Sequence, residues 1–302
     1  MRRGIYSIGT NSTRALVAEL NGEAPHILKQ LSIGTRLGEG VRERGRLSEA
    51  AIERTVDALR SHRREVDTMT DDVTAIATSA VRRAQNADAF ARAVREATGA
   101  QLHVIDGTEE ASCSFAGAVA VAPRESGVHT YGVLDPGGGS TEFATGTRDA
   151  VGQTASFEIG AVRLSEAVPD LMARHKPVSA GALHEARVLA REALRPLLEF
   201  PSVDRLVFVG GTATTSVAIT HARDEREEIA SLSRDQLENV VRLLASKAVD
   251  ERRVIPGMNP QRADILLAGT LLLEAAFDFA GHGEALVATG DLLLGYLLRH
   301  PH

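Results

Sequence analysis

The sequence predicts an α/β protein in which one unit occurs twice and the two copies face each other across a cleft. Three observations carry that expectation. Apolar, strand-like runs alternate with amphipathic helical segments along the chain. A strand, a Gly/Ser turn and two further strands over residues 4–33 are followed by the same order over residues 128–159. A length of 302 residues exceeds what one core usually encloses, which argues for two domains. The boundary is expected at the Pro/Gly-containing residues 123–127, giving domains 1–124 and 125–302.

In the first copy, residues 4–8 form a short apolar strand, Gly9-Thr-Asn-Ser12 a turn, residues 13–20 a half-buried strand and residues 26–33 a third. Asn21-Gly22 is a hairpin signal between the last two. Ser48 caps a helix whose Ile52, Val56 and Leu59 fall on one face. Arg60, Arg63 and Arg64 near its end complement the helix dipole. A strand at 73–78, a helix at 88–98 closed by Gly99, and a strand at 101–105 follow. Asp106-Gly-Thr-Glu-Glu-Ala111 then opens a helix that runs through residue 119.

In the second copy, a buried strand at 128–134 ends in Asp135-Pro-Gly-Gly-Gly-Ser-Thr-Glu142, and residues 153–159 form that copy's third strand. Residues 179–198 read as helix and 205–209 as a buried strand. That strand ends in Gly210-Gly-Thr-Ala-Thr-Thr215, a glycine turn before a helix. Ser233 and Gln236 form a capping box for a helix through residue 248. A long apolar helix at 260–280, a strand at 285–288 and a final helix at 291–298 complete the order.

The net charge of −6 lies entirely in residues 123–302, since residues 1–122 are balanced. With no Trp, 4% aromatic residues and no basic tail, binding to nucleic acid is not expected. No apolar run reaches the roughly 18 residues that span a bilayer, so no membrane partner is expected. Met1-Arg-Arg leads directly into a strand, which is not the pattern of a signal peptide. A single cysteine, Cys113, excludes an internal disulfide and reads as a small buried thiol, and the expected compartment is the cytoplasm. The histidines show no HExxH arrangement, so zinc is not expected.

Three strand ends carry glycine segments: Gly9–Ser12, Gly137–Thr141 and Gly210–Thr215. Glycine lets backbone approach a ligand closely, and successive N–H groups in such a turn form an anion-sized concavity. One such segment is ordinary punctuation, whereas three after buried strands point to a polyanion held outside the strand ends. Gly9, Gly137, Gly211 and Thr212 belong to this set. Asp135 and Glu142 flank the central turn, and carboxylates suit a hard cation such as Mg²⁺. Of Glu109 and Glu110, adjacent and about 100° apart on a helix, one faces the cleft and can act as a general base. Either Arg82 or Arg83 can offer its planar fork to phosphate. The charged run at residues 223–228 reads as a solvated face.

Eight segments, in order, resemble the Ppx/GppA family of exopolyphosphatases and guanosine pentaphosphate phosphohydrolases. They are Ile8-Gly-Thr-Asn-Ser-Thr-Arg14, Thr35-Arg-Leu-Gly-Glu-Gly40, Ala77-Thr-Ser-Ala-Val-Arg-Arg-Ala-Gln-Asn86 and Gly107-Thr-Glu-Glu-Ala111. The others are Asp135-Pro-Gly-Gly-Gly-Ser-Thr-Glu142, Gly160-Ala-Val-Arg163, Gly210-Gly-Thr-Ala-Thr-Thr215 and Ile255-Pro-Gly-Met-Asn-Pro-Gln-Arg-Ala-Asp264. The resemblance implies two duplicated actin-like (ribonuclease H-like) domains, as in the actin, sugar-kinase and heat-shock ATPase superfamily, and the short form without helical C-terminal domains. It implies that Glu110 is the catalytic base and that Asp135 and Glu142 serve Mg²⁺ and the catalytic centre. It places Thr10, Asn11, Ser12, Arg82, Gly138, Gly139 and Ser140 on phosphate. The implied partners are polyphosphate or guanosine pentaphosphate, with a homodimer as the expected assembly. Ser7 stands where the family has an acid, Leu293 where it has an Arg, and Pro136 where it has an aliphatic residue. Two rival readings stay open: a small-molecule kinase of the same superfamily, and a non-catalytic sensor of polyphosphate or an alarmone.

Overall fold

Two mixed sheets dominate the computed structural model, which describes residues 1–20, 25–223 and 228–301. In the first, β1 (Arg2–Ile8), β2 (Ser12–Glu19) and β3 (His26–Gly34) form an antiparallel meander. Helices α1 (Val41–Arg44) and α2 (Glu49–Val66) lead to β4 (Val73–Ala77), which pairs parallel with β1. Helices α3 (Ser79–Arg82) and α4 (Ala87–Thr98) lead to β5 (Leu102–Val104), parallel to β4, and the sheet order is β3-β2-β1-β4-β5. The local signals hold: Ser48 accepts from the Ala51 N–H, and α4 closes on Gly99 in the left-handed region.

Helix α5 (Gly107–Val121) carries the chain to the second meander, β6 (Tyr131–Pro136), β7 (Thr141–Gly146) and β8 (Val151–Phe157). Helices α6 (Ala161–Ala167) and α7 (Ala180–Leu194) precede β9 (Arg205–Phe208), parallel to β6. Then come α8 (Gly210–His221), β10 (Ile229–Ser233), α9 (Arg234–Ala245), α10 (Val249–Arg252), α11 (Leu266–Ala280), β11 (Glu284–Ala288) and α12 (Leu292–Arg299). The sheet order, β8-β7-β6-β9-β11-β10, repeats that of the first sheet with one antiparallel edge strand added. The duplication reaches the register. Ile8↔Thr13 and Ser7↔Arg14 close the first hairpin, and Pro136↔Thr141 and Asp135↔Glu142 close the second.

Each sheet buries both faces. The outer face of the first packs Tyr6, Ile8, Ala15 and Val17 against Leu59, Phe90 and Val94 of α2 and α4. The outer face of the second packs Leu134, Phe143 and Phe208 into the large core of α7, α9 and α11. The inner faces are covered crosswise. Helix α5 lays Ala111, Phe115 and Ala118 on Val133, Ala144 and Val207 of the second sheet. Helix α12, from the end of the chain, lays Leu293, Leu294 and Leu297 on Ile5, Leu16 and Ile76 of the first. Each such leucine contributes about 1.5–3 kcal/mol by leaving water. The two helices cross in backbone contact: a Cβ on Gly295 would stand 1.7 Å from the Cys113 carbonyl oxygen, and one on Gly117 2.1 Å from that of Asp291.

Several sequence expectations shift. The third glycine segment is no turn, because α8 begins at Gly210 itself. The apolar helix expected from residue 260 starts as the short 3₁₀ turn Pro260–Arg262, and α11 begins at Leu266. The helix expected through 248 ends at Ala245, with α10 following. The strand expected at 128–134 runs Tyr131–Pro136. Asn21-Gly22 and most of the 223–228 run lie outside the described residues. Among the described residues, no helix is long and apolar enough to cross a membrane.

The crossing yields a packing test. Gly295→Ala pushes a methyl group into backbone that cannot yield, so it should cost at least about 2 kcal/mol and lower the melting temperature by about 5 °C or more. Gly181→Ala, with nothing within 4 Å of its Cβ position, should melt like the wild type in the same thermal scan.

Candidate active site

Both hairpins point their turns into one cleft of about 690 Å³ between the sheets. Gly9, Thr10, Asn11 and Ser12 line one side, and Gly137, Gly138, Gly139 and Ser140 the other. The two turns touch at the cleft floor. A Cβ on Gly139 would lie 2.7 Å from both the Thr10 and Ser79 hydroxyls, so only glycine admits this approach. The second turn is anchored from behind, where the Ala161 and Val162 N–H groups donate to the Gly137 and Gly138 carbonyls, both at 2.9 Å.

The carboxylates follow from the same geometry. Asp135 and Glu142 are cross-strand partners, so their side chains leave the sheet on one face. That inner face is covered by α5, whose Glu110 and Ser114 are one turn apart and aimed at it. Ser114 Oγ donates to Asp135 Oδ2 at 2.7 Å, and Ser156 Oγ, opposite Glu142 on β8, donates to Glu142 Oε1 at 2.7 Å. Asp106 caps α5 by accepting from the Glu109 N–H at 2.8 Å. Glu110 and Glu142 keep only 7% and 1% of their surface exposed. Glu109 lies outside the cleft wall, 3.2 Å from His300. Arg82 Nη1 donates to the Ile105 carbonyl at 2.7 Å and lies 3.5 Å from Glu110 Oε2, but Arg82, expected on phosphate, does not itself line the cleft, and Arg83 pairs with Glu158.

Burial and mutual repulsion make these acids basic. Burial, then the neighbouring Glu142 charge, pushes Glu110 well above the usual carboxylate range. Burial and Asp135 push Glu142 up to about 7, and burial and Asp291 push Asp135 up to about 6. Facing them, Arg14 ion-pairs with Asp291, which also caps α12 through the Leu293 N–H. Arg262 lies over Gly211, where a Cβ would meet its guanidinium at 2.1 Å. Gly210 has φ +82°, and its missing Cβ leaves space for Asp135 Oδ1, 2.7 Å from where that atom would be.

Of the residues expected at the site, Glu110, Asp135, Glu142, the two hairpin turns and Gly211 converge on the cleft. Thr212 does not. It is turned into helix packing, where its hydroxyl fills the place of a Cβ on Gly269 of α11. Ser7, Arg14, Thr78, Ser79 and Arg262 line the cleft and Asp291 stands behind Arg14, yet none was singled out as a contact from sequence. Arg14, Thr78, Ser79 and Arg262 lie inside the matching motif segments, which was the available signal.

The donors are all hard oxygens, and like charges packed this closely favour a cation between them. Among the described residues, no three His, Cys, Asp or Glu side chains are arranged to cage an ion. A hard cation such as Mg²⁺ takes one or two carboxylates and completes its shell with water and phosphate oxygens.

Two opposed glycine–hydroxyl turns and the buried carboxylates thus share one cleft of a duplicated α/β scaffold. A model of the Ppx/GppA phosphatase family matches residues 16–285. The chain belongs to that family. It is 33% identical to Exopolyphosphatase 2 of Mycobacterium tuberculosis over 96% of its own length and 95% of that protein's. It is 30% identical to the bifunctional 3-dehydroquinate synthase/phosphatase of Fusobacterium nucleatum, matching over 98% of its own length and spanning less than half, 46%, of that protein. An exopolyphosphatase structure from Cytophaga hutchinsonii superposes with a TM-score of 0.86 at 27% identity, covering 99% of this chain and 97% of that one. The Aquifex aeolicus Ppx/GppA family member gives 0.80 at 26% identity, covering 100% and 99%.

The raised carboxyls set a pH signature. A group whose folded pKa is raised stabilises fully below its unfolded pKa, and that stability is lost as pH rises through the folded value. For Asp135 and Glu142 the loss runs from about pH 4 up through about 6 and 7. Buried His62, with its pKa lowered, acts in the opposite sense below its ordinary range. The clean readout is therefore a difference. The melting temperature of Glu142→Gln minus that of the wild type should grow by several degrees from pH 5 to pH 8. Mg²⁺ added at pH 8 should stabilise the wild type more than this variant.

Proposed function

We propose that the protein is a Mg²⁺-dependent phosphohydrolase that releases terminal orthophosphate from inorganic polyphosphate, with guanosine pentaphosphate as a second substrate of the same chemistry. The observation that carries this reading is the position of Glu110, a buried and unusually basic carboxylate facing Asp135 and Glu142 beside two glycine turns. Family membership and the likeness to Exopolyphosphatase 2 support it.

In this reading the terminal phosphate sits between Gly9–Ser12 and Gly137–Ser140, held by backbone N–H groups and hydroxyls. Glu110 takes a proton from water as the water oxygen bonds to the terminal phosphorus. The bond from that phosphorus to the bridging oxygen breaks, and the shortened chain leaves with the bridging oxygen as its new end. Burial suits Glu110 to the task, because a raised pKa brings a carboxylate closer to an effective general base near neutral pH. Arg82, tied to the Ile105 carbonyl, orients the base, while Arg14 and Arg262 offset charge on the transferring group. Asp135 and Glu142 would hold Mg²⁺, which when bound would supply charge neutralisation at the phosphate oxygens.

One observation favours a second reading, a sensor that binds polyphosphate without turnover. Ser7 lines the cleft from β1 and leaves the first jaw without a carboxylate on that strand.

Glu110→Ala should lower phosphate release from polyphosphate at least about a hundredfold while polyphosphate binding survives; an unchanged rate in a phosphate-release assay removes Glu110 from the mechanism. Ser7→Asp should tighten the Mg²⁺ dependence of that rate. An identical Mg²⁺ titration would show that the second carboxylate is dispensable.

A further inference from the structure

Each of the two carboxylates that face Glu110 has one oxygen taken by a serine. Ser114 Oγ donates to Asp135 Oδ2, and Ser156 Oγ to Glu142 Oε1, both at 2.7 Å. The serines come from different elements. Ser114 stands one turn after Glu110 on α5 and is 1% exposed, while Ser156 is the cross-strand neighbour of Glu142 on β8. A serine inside a helix can donate to the carbonyl one turn back, but Ser114 gives its proton to Asp135 instead.

Neither serine lines the cleft, so the bonded oxygens turn away from it. The other oxygens lie against glycines that do line it. Asp135 Oδ1 is 2.7 Å from the place of a Cβ on Gly210, and Glu142 Oε2 is 3.9 Å from that of one on Gly137. Ser140, in the turn itself, also bonds Glu142, so two hydroxyls restrain that carboxylate. Neither acid is free to swing and offer both its oxygens to one ion.

That restraint separates hard cations. Ca²⁺ gathers many oxygens in a flexible shell and readily takes both from one carboxylate. Mg²⁺ demands a near-ideal octahedron, takes few protein oxygens and keeps several waters. From this geometry we infer that Ser114 and Ser156 are positioning residues that make Asp135 and Glu142 present one oxygen each to the cleft, and so select Mg²⁺ over Ca²⁺. The inference rests on the reading of these two acids as the Mg²⁺ site and adds what sets its choice of ion.

The test reads ion binding directly, as the melting temperature of the protein titrated with Mg²⁺ or Ca²⁺ at pH 8 without substrate. In the wild type Mg²⁺ should act at the lower concentration. In Ser114→Ala/Ser156→Ala the midpoint for Mg²⁺ should rise about tenfold while that for Ca²⁺ holds, so the preference narrows by the same factor. Ser156→Ala alone, at a half-buried strand position, should narrow it about threefold, and it decides the matter if the double variant does not fold. Ser165→Ala removes a buried hydroxyl that has no hydrogen-bond partner and should leave the preference as in the wild type. Equal shifts for both ions in the serine variants, or none, overturn the inference. A wild type that binds neither ion, or both alike, overturns it as well. If the wild type binds Mg²⁺ yet cleaves no polyphosphate, the hydrolase reading fails, and the ratio between the ions still decides the inference.

Discussion

The architecture depends on one contact, the crossing of α5 over α12 at Gly117 and Gly295. There the helices meet backbone to backbone, with no side chain between them. The crossing ties each half of the chain to the other's sheet, because α5 covers the second sheet and α12 the first. It also sets the chemistry. Both helices begin at the cleft, so their first turns deliver Glu110 over Asp135 and place Asp291 against Arg14. A site assembled from helix starts and hairpin turns has little freedom to drift, because each part is held by an element buried elsewhere.

The duplicated register exposes an asymmetry of charge. Asp135 and Glu142 occupy the same ladder positions in the second copy as Ser7 and Arg14 in the first. One jaw therefore presents two acids, and the other a hydroxyl and a cation. For a reaction on a phosphate, this division is useful. The acidic jaw suits a metal ion, and the other adds a guanidinium to meet the anion without a competing carboxylate on its strand. Asp291 tempers that guanidinium and fixes its place by pairing with it while capping α12.

Much of this was legible before the structure. Apolar runs, caps and glycine stops located the elements, and the repeated strand–turn–strand order announced the duplication, because those signals are local. The carboxylates were legible in part for the same reason: Asp135 and Glu142 flank a conspicuous turn, and Glu109 and Glu110 sit at a helix start, where the family resemblance and not the local pattern singles out Glu110. What escaped notice depended on long-range packing. Thr212 follows two glycines that do border the cleft, but on a helix its side chain points about 100° away from the residue before it, into α11. Asp291 is far from Arg14 in sequence and meets it only because α12 returns to the first sheet. Ser114 reaches Asp135 only because α5 lies on the second sheet, which no spacing rule could show.

The crosswise covering of the sheets bears on how such a molecule could arise. A lone copy of the unit would leave an inner sheet face bare while its own last helix reached outward, so it would be stable as a swapped pair of identical chains. In that pair the two hairpins would be bound by symmetry to carry the same residues. Joining the copies into one chain lifts that bond, and only then can Ser7 and Arg14 diverge from Asp135 and Glu142. Two equivalent half-sites thus become a single polar site with a carboxylate end and a cationic end.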